Sequence, residues 1–229
     1  MFKNYIKIAW RNLLRNKSFS VINILGLTIG LACSLLILLW VQEERSVDNF
    51  HANGDRLFLV YERQYIDGKI EAGYYTPGLL ANEMKRVVPE IEYATNFAWL
   101  ADDGERFTFE AGEKVMKFDG CYYDSDFFKM VDYPLLKGYI NTALNSPVSL
   151  AIGDKMAKAV FGSADAAYGK TLRVENTKDL QVTAIFKDLP KNVSVSFDFL
   201  INWPTFLDDM GWAKDWGNNG PNTMIMMRK

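Results

Sequence analysis

The chain has little with which to do metal or nucleophile chemistry, holding one histidine and two cysteines among its 229 residues. A lone His51 excludes HExxH and paired-histidine zinc sites. It stands in FHANGDR beside a turn, where ordinary hydrogen bonding or surface exposure is a simpler role than catalysis. No GxSxG marks an activated serine, so a Ser-His-Asp arrangement has no local signal. Cys33 falls inside a long apolar run and Cys121 outside it, which leaves no pair for an intrachain disulfide. Both read as packed thiols, and Gly30-Leu31-Ala32 ahead of Cys33 fits a lipidation signal poorly. A phosphate loop is missing too. In GSADAAYGKT, Gly162 stands too far ahead of Gly169 for the GxxxxGK[ST] spacing, so ATP hydrolysis within this chain has no support. No catalytic, cofactor-binding or metal residue is singled out, and no cofactor is expected.

An excess of charge of one sign is also absent. The 26 basic and 28 acidic side chains give a net charge of -2, which offers nothing for nucleic-acid binding. Their distribution carries the information. Lys3, Lys7, Arg11, Arg15 and Lys17 stand in residues 1–17 with no acid, and residues 19–41 carry no charge at all. Residues 42–229 hold the other 21 basic and all 28 acidic groups.

The uncharged stretch FSVINILGLTIGLACSLLILLWV is long enough, at about 1.5 Å per helical residue, to cross a hydrocarbon core of roughly 30 Å. Its polar members Asn23, Thr28 and Ser34 are of the kind a helix can satisfy internally. Gly26 and Gly30 form a GxxxG pair, which alone is weak evidence for helix packing. The basic flank against Gln42-Glu43-Glu44 predicts a cytoplasmic N-terminus and an external remainder. The apolar run is longer than a signal-peptide core and lacks a small-residue cleavage site after Trp40. Ahead of it, Phe2, Ile6, Ala9, Trp10 and Leu13 recur at helical spacing, with Lys3, Lys7, Asn12 and Arg15 on much of the opposite surface. That is the pattern of an interfacial helix, although a plain basic flank would also serve topology. Asn16-Lys17-Ser18 would make the bend, with Ser18 a cap. The expected division is therefore 1–18 interfacial helix, 19–41 transmembrane helix and 42–229 external domain.

A region of 188 residues needs neither metal nor disulfide to form a core. Alternation around Leu57, Leu59, Tyr61 and Arg63 predicts one strand ending at the Asp67-Gly68 turn, with a return from Ile70 to Tyr75. Thr76 reads as the N-cap of a helix through GLLANEMKRVV that Pro89 stops. YATNFAWL, ERFTFEA and KVMKFDGCYY read as strands, with turns at Asp102-Asp103-Gly104 and Ala111-Gly112-Glu113. SDFFKMV follows as a brief helix, then PVSLAI as a strand before the helix GDKMAKAVFG, which Gly162 punctuates. GKTLRVEN and LQVTAIFKDLP read as a hairpin, VSFDFLIN as a strand before Pro204, and TMIMMRK as a final strand. The fold class is α+β: two N-terminal helices, then a mixed extracytoplasmic domain of one or two subdomains, with boundaries considered near 115–125 and 195–205.

Asp102, Asp103, Asp124, Asp126, Asp208 and Asp209 could in principle supply paired carboxylates, but their turn-rich settings favour solvation or capping over glycosidase chemistry. Trp203, Trp212 and Trp216 accompany Asn218, Asn219 and Gly220. Such a stretch can line an interface or a polar groove, and sequence alone favours core packing and loop anchoring.

The order of YIKIAWRNLLRNKSFSVINILGLTIGLACSLLILLWVQEE, SVDNFHANGDRLFLVYE, DKMAKAVFG, GKTLRV, VTAIFKDLP and SFDFLIN resembles the ABC transporter permease family with a MacB-like periplasmic core domain, related to lipoprotein-release and cell-division permeases. These motifs cover most of the chain. The resemblance implies a bacterial inner-membrane permease component that works as a homodimer with a separate or fused ABC ATPase subunit, without intrinsic enzyme activity. It implies that Lys3 to Asn16 is the cytoplasmic elbow, Ile22 to Trp40 the first span, and Phe50, Asn53, Asp55 and Arg56 a structural lead into the periplasmic core domain. AAYGK replaces the proline-containing turn of many relatives. Further spans and an ATPase motif are not in the sequence, so a piece of a longer permease is expected. The implied function is transmission of partner ATP hydrolysis to the external domain. The alternative is a membrane-anchored envelope domain that binds or senses a protein, peptide or lipid, and an envelope enzyme ranks third.

Overall fold

The computed structural model describes residues 2–99, 106–190 and 192–229. The chain divides into two compact units, residues 1–47 and 48–229.

The first unit is helical. Helix α1 spans Phe2–Arg15 and α2 spans Lys17–Glu44. Asn16 breaks the helical path at φ -111°, ψ 60°, and no side chain caps α2. Ser18 is thus not the cap. Ser20 serves the bend instead, donating its hydroxyl to the Leu13 carbonyl at 3.0 Å. That bond satisfies one of the orphan acceptors at the end of α1. Within α2, Thr28 donates to the Ile24 carbonyl at 2.7 Å and Ser34 to the Gly30 carbonyl at 2.8 Å. Both hydroxyls are therefore satisfied without water, as a hydrocarbon environment demands. Apart from Ser20, every residue of α2 is exposed, and its apolar window has a mean hydropathy of 2.5. Isolated in water, such a surface would be costly.

The second unit begins with a 3-10 turn at Gly54–Arg56, followed by β1 Leu57–Leu59, β2 Glu62–Ile66 and β3 Lys69–Gly73. Next come α3 Leu80–Val87, β4 Ile91–Trp99, β5 Phe107–Ala111, β6 Lys114–Phe118 and β7 Gly120–Tyr123. Then follow α4 Phe127–Met130, β8 Leu135–Lys137, β9 Ser149–Gly153, α5 Asp154–Phe161 and α6 Ala164–Ala167. The chain continues through β10 Thr171–Val174, β11 Lys178–Phe186, β12 Phe199–Asn202, α7 Trp203–Asp209 and β13 Asn222–Met227.

One sheet gathers all of these strands except β2 and β3, in the order β1-β13-β4-β7-β12-β9-β11-β10-β5-β6, with β8 paired to β11 off that path. Most neighbours are antiparallel, and β9–β11 and β7–β12 are parallel. Helices and short turns intervene among antiparallel pairs, in line with an α+β reading. The candidate boundaries near 115–125 and 195–205 take in β7 and β12, which are hydrogen-bonded neighbours in the middle of the sheet.

Period-two alternation sends successive residues to two cores. Tyr122, Leu150, Ile152, Phe199 and Ile201 join the core under α5 and α7. Their chain neighbours Cys121, Tyr123, Ala151 and Leu200 join the core under α4. Strands β9 and β12 are buried on both faces, which is why SLAI and FLI read as continuous apolar runs rather than alternating ones.

In the second unit three expectations need correction. The single strand expected from Leu57 to the Asp67-Gly68 turn is two: β1 joins the large sheet through β13, while β2 and β3 form their own hairpin. Asp67 and Gly68 take φ 48° and 77°, the left-handed pair that a two-residue hairpin turn requires. KVMKFDGCYY is likewise two strands, β6 at the sheet edge and β7 at its centre. Thr76 does not cap α3. Its hydroxyl is buried, 2.7 Å from that of Thr223, because β13 passes directly beneath it.

Candidate functional site

None of the candidate carboxylates among the described residues forms a reactive pair. Asp126 is buried and accepts hydrogen bonds from the ammonium groups of Lys85 and Lys129, the latter at 2.9 Å. Burial opposes its ionisation, but the two lysines outweigh that and hold its carboxyl below the usual range. Both ammonium groups also face the Tyr93 ring, at 5.4 and 5.6 Å. Burial raises the Asp124 carboxyl, which accepts from the Ser125 N–H at 2.7 Å. Asp208 pairs with Lys214, and Asp209 with Lys178 while accepting the Tyr122 hydroxyl at 3.2 Å. Asp102 and Asp103 lie outside the described residues.

His51 works as a clasp. Its Nδ1 accepts the Asp132 N–H at 3.1 Å, and the Asp132 carboxylate accepts the Ala52 N–H at 2.6 Å. The ring lies between Phe50 and Tyr133, at 4.1 and 5.2 Å. Burial lowers its pKa, against the raising effect of the Asp48 and Asp132 charges. Cys121 is wholly buried, and burial drives its thiol well above the ordinary value, which removes the thiolate a nucleophile needs. Arg56 joins Asn53 Oδ1 at 3.1 Å, the Met227 carbonyl at 2.8 Å and the Glu92 carboxylate. It pins the start of the second unit to the end of β13. Ser163 caps α6 by accepting the Ala166 N–H at 3.1 Å, so GSADAAYGK builds a helix start rather than a phosphate cradle. Among the described residues no group of three or more His, Cys, Asp or Glu side chains could hold a metal ion.

The concave surfaces lie elsewhere. A cleft of about 770 Å³ is walled by Tyr74, Tyr75, Trp99, Phe206, Met210 and Trp212, with residues 219–222 along one side. The tryptophans divide. Trp203 is buried, donating its indole N–H to the Gly78 carbonyl at 3.0 Å and stacking on Phe206 at 4.5 Å. Trp212 is 45% exposed in the cleft, and its ring lies on Gly220, where a Cβ would come within 2.5 Å of it. Trp216 is half exposed and outside the cleft lining. A shallower cleft of about 260 Å³ adjoins it, with Glu62, Gln64, Glu71 and Ala72 on the β2–β3 hairpin. Gly73, Tyr75 and Asn219 line both. A further cavity of about 300 Å³ is walled by Leu57, Phe97, Tyr123, Tyr133 and Phe197, with Asp48 and His51 also in its lining.

Sequence reasoning brought Trp212, Asn219 and Gly220 forward and missed Tyr74, Tyr75, Trp99, Phe206 and Met210. Their only signal was aromatic density beside Gly73 and at the end of a strand. Convergence of residues so distant in sequence is a property of β4, α7 and β13 meeting in space.

The profile of the MacB-like periplasmic core domain matches residues 20–229. Among curated proteins none matches the chain. Among solved structures, similarity extends to a domain assigned to a permease protein of Porphyromonas gingivalis. There the TM-score is 0.63 at 18% identity, over 78% of this chain and 77% of that one. The periplasmic region of MacB from Actinobacillus actinomycetemcomitans gives a TM-score of 0.55 at 14% identity, over 81% and 78%. The extracellular domain of the noncanonic ABC-type transporter YknZ from Gram-positive bacteria gives 0.52 at 14% identity, over 76% and 84%. At such identities these likenesses speak for the fold alone, and it is the match over nearly the whole length that decides the assignment: the chain belongs to the MacB-like periplasmic core domain family.

Proposed function

We propose that the chain is the membrane-anchored part of an ABC-type permease in which a partner's ATP hydrolysis moves α1 and α2, and the external domain carries that motion onward. The observation that carries the reading is one exposed, apolar 28-residue helix followed closely by a domain of this family. Only residues 45–47 separate the end of α2 from the second unit, so a tilt or shift of the helix has little slack in which to dissipate. In this account residues 1–18 lie at the cytoplasmic interface of the bacterial inner membrane, 19–41 span it and 42–229 are periplasmic. The basic flank of α1 supports that orientation. The partners are an ABC ATPase subunit, a second permease copy and the bilayer. The chain's own part is mechanical, with nucleotide bound by the partner.

The test is labelling in proteoliposomes that also hold the ATPase. A cysteine at the exposed Lys170 position, in a Cys33→Ala background, should change its reactivity toward an impermeant maleimide when ATP is added. Replacing Arg11 and Arg15 with glutamate should abolish that change. Labelling indifferent to nucleotide, or unaffected by those replacements, would refute the coupling. A second reading, an anchored domain that binds an envelope component, draws its support from the aromatic cleft. It predicts ligand binding with no ATPase present.

A further inference from the structure

The two adjoining clefts differ in chemistry. The larger is aromatic: Trp99, Tyr74, Tyr75 and Trp212 are each more than a third exposed, although such side chains gain by being covered. The smaller is acidic. Glu62 and Glu71 stand on one face of the β2–β3 hairpin, since Glu62 pairs with Gly73 and Gln64 with Glu71, and cross-strand partners share a face. Glu62 is held by neutral groups only, the amide of Gln64 at 2.8 Å and that of Asn219 at 2.7 Å. Neither carboxylate makes an ion pair among the described residues. Lys69, on the same face at the turn, lines neither cleft.

Asn219 stands at the seam between the two. It lines both clefts, and while its Nδ2 serves Glu62, its Oδ1 is buried without a hydrogen-bond partner.

We propose that the joined clefts form a docking groove for a basic, aromatic-bearing peptide segment. Its rings lie against Trp99 and Trp212, and its cationic side chain lies over Glu62 and Glu71. Charge complementarity selects a cation, because two carboxylates without a counter-ion line the smaller cleft. The two arms in series select a peptide over a small organic cation, which would occupy one of them. Cation–π attraction adds to this where the aromatic and acidic arms meet. The groove goes beyond the permease reading and is independent of nucleotide, so failure of coupling would leave it standing.

The experiment uses the full chain in zwitterionic lipid nanodiscs, without ATPase. The probe is a fluorescein-labelled peptide of alternating lysine and phenylalanine, read by polarisation. Saturable binding above that of empty discs is expected. The Glu62→Gln/Glu71→Gln variant should weaken it by about tenfold or more, and Trp99→Ala should weaken it separately. The glutamine pair keeps hydrogen-bonding shape, and an unchanged melting temperature certifies the fold. A peptide of alternating glutamate and phenylalanine should bind no better than to empty discs. Absence of saturable binding overturns the proposal, as does equal binding by the acidic peptide or by either variant with its fold intact. Full inhibition by phenethylammonium at stoichiometric concentration would replace the peptide with a small cation and also overturn it.

Discussion

Thr223 donates its hydroxyl to Oδ1 of Asn96 across 2.9 Å, with both side chains fully shielded from water. The same oxygen accepts the Ala81 N–H at 3.2 Å, and the Asn96 amide donates to the Gly78 carbonyl at 2.7 Å. One buried side chain thereby fastens β13 and the start of α3 to β4. Removing it strands several polar groups at once. Asn96→Ala should therefore destabilise the fold by about 2–4 kcal/mol, more than Thr223→Val, because the valine keeps the shape and removes one hydroxyl, with its bond to Asn96 and its contact with Thr76. Urea denaturation of both variants and their double mutant should show strong non-additivity.

The tryptophans should separate by experiment as they do in space. Trp203→Phe loses the bond to Gly78 and part of a buried ring, for a cost of about 1–3 kcal/mol. Trp212→Phe leaves a half-exposed position aromatic and should shift stability by less than about 0.5 kcal/mol. Equal losses in thermal unfolding would contradict the division of the trio between core and cleft.

Acid should loosen the second unit through His51 first. Its native pKa lies below the ordinary histidine value of 6.5, so the unfolded chain binds the proton more readily. The corresponding stability is complete above that value and is lost as pH falls through the lowered native pKa. In His51→Asn the amide oxygen can still accept the Asp132 N–H while nothing titrates. Its stability curve should be flatter just below pH 6.5. Asp126, also lowered, loses its contribution further down, as pH falls through a native pKa below 3.8. Unfolding midpoints measured from neutral to strongly acid pH separate the two windows.

A charge in the middle of α2 should oppose insertion. Leu31 is exposed on a helix with no buried residue near it, and aspartate at a helix centre costs about 3 kcal/mol in membrane insertion. Leu31→Asp should move the chain toward the alkali-extractable fraction of expressing cells, whereas Leu31→Ile should not. Full retention of the aspartate variant would count against a span here.

Local signals carried a good part of the fold. The Asp67-Gly68 turn, the stop at Gly162 and the runs SLAI and FLIN are read from spacing because each depends on neighbours a few residues away. The short β8 and α6 were not anticipated, since Leu135–Lys137 and Ala164–Ala167 are too brief to show a period. Thr76 looked like a cap for the same local reason, and a partner 147 residues away claimed its hydroxyl.

The uneven placement of charge along the chain set out, without any fold, one uncharged apolar stretch at residues 19–41 long enough to cross a membrane, with a basic flank before it and the acidic groups after it. Transfer free energy is a property of composition over a short stretch. The tertiary structure alone decided that β7 lies against β12, that Trp203 is walled in while Trp212 looks outward, and that Glu62, Glu71 and Asn219 share a groove with Trp99. Those outcomes follow from pairings between strands far apart in sequence, whose closure no local period encodes.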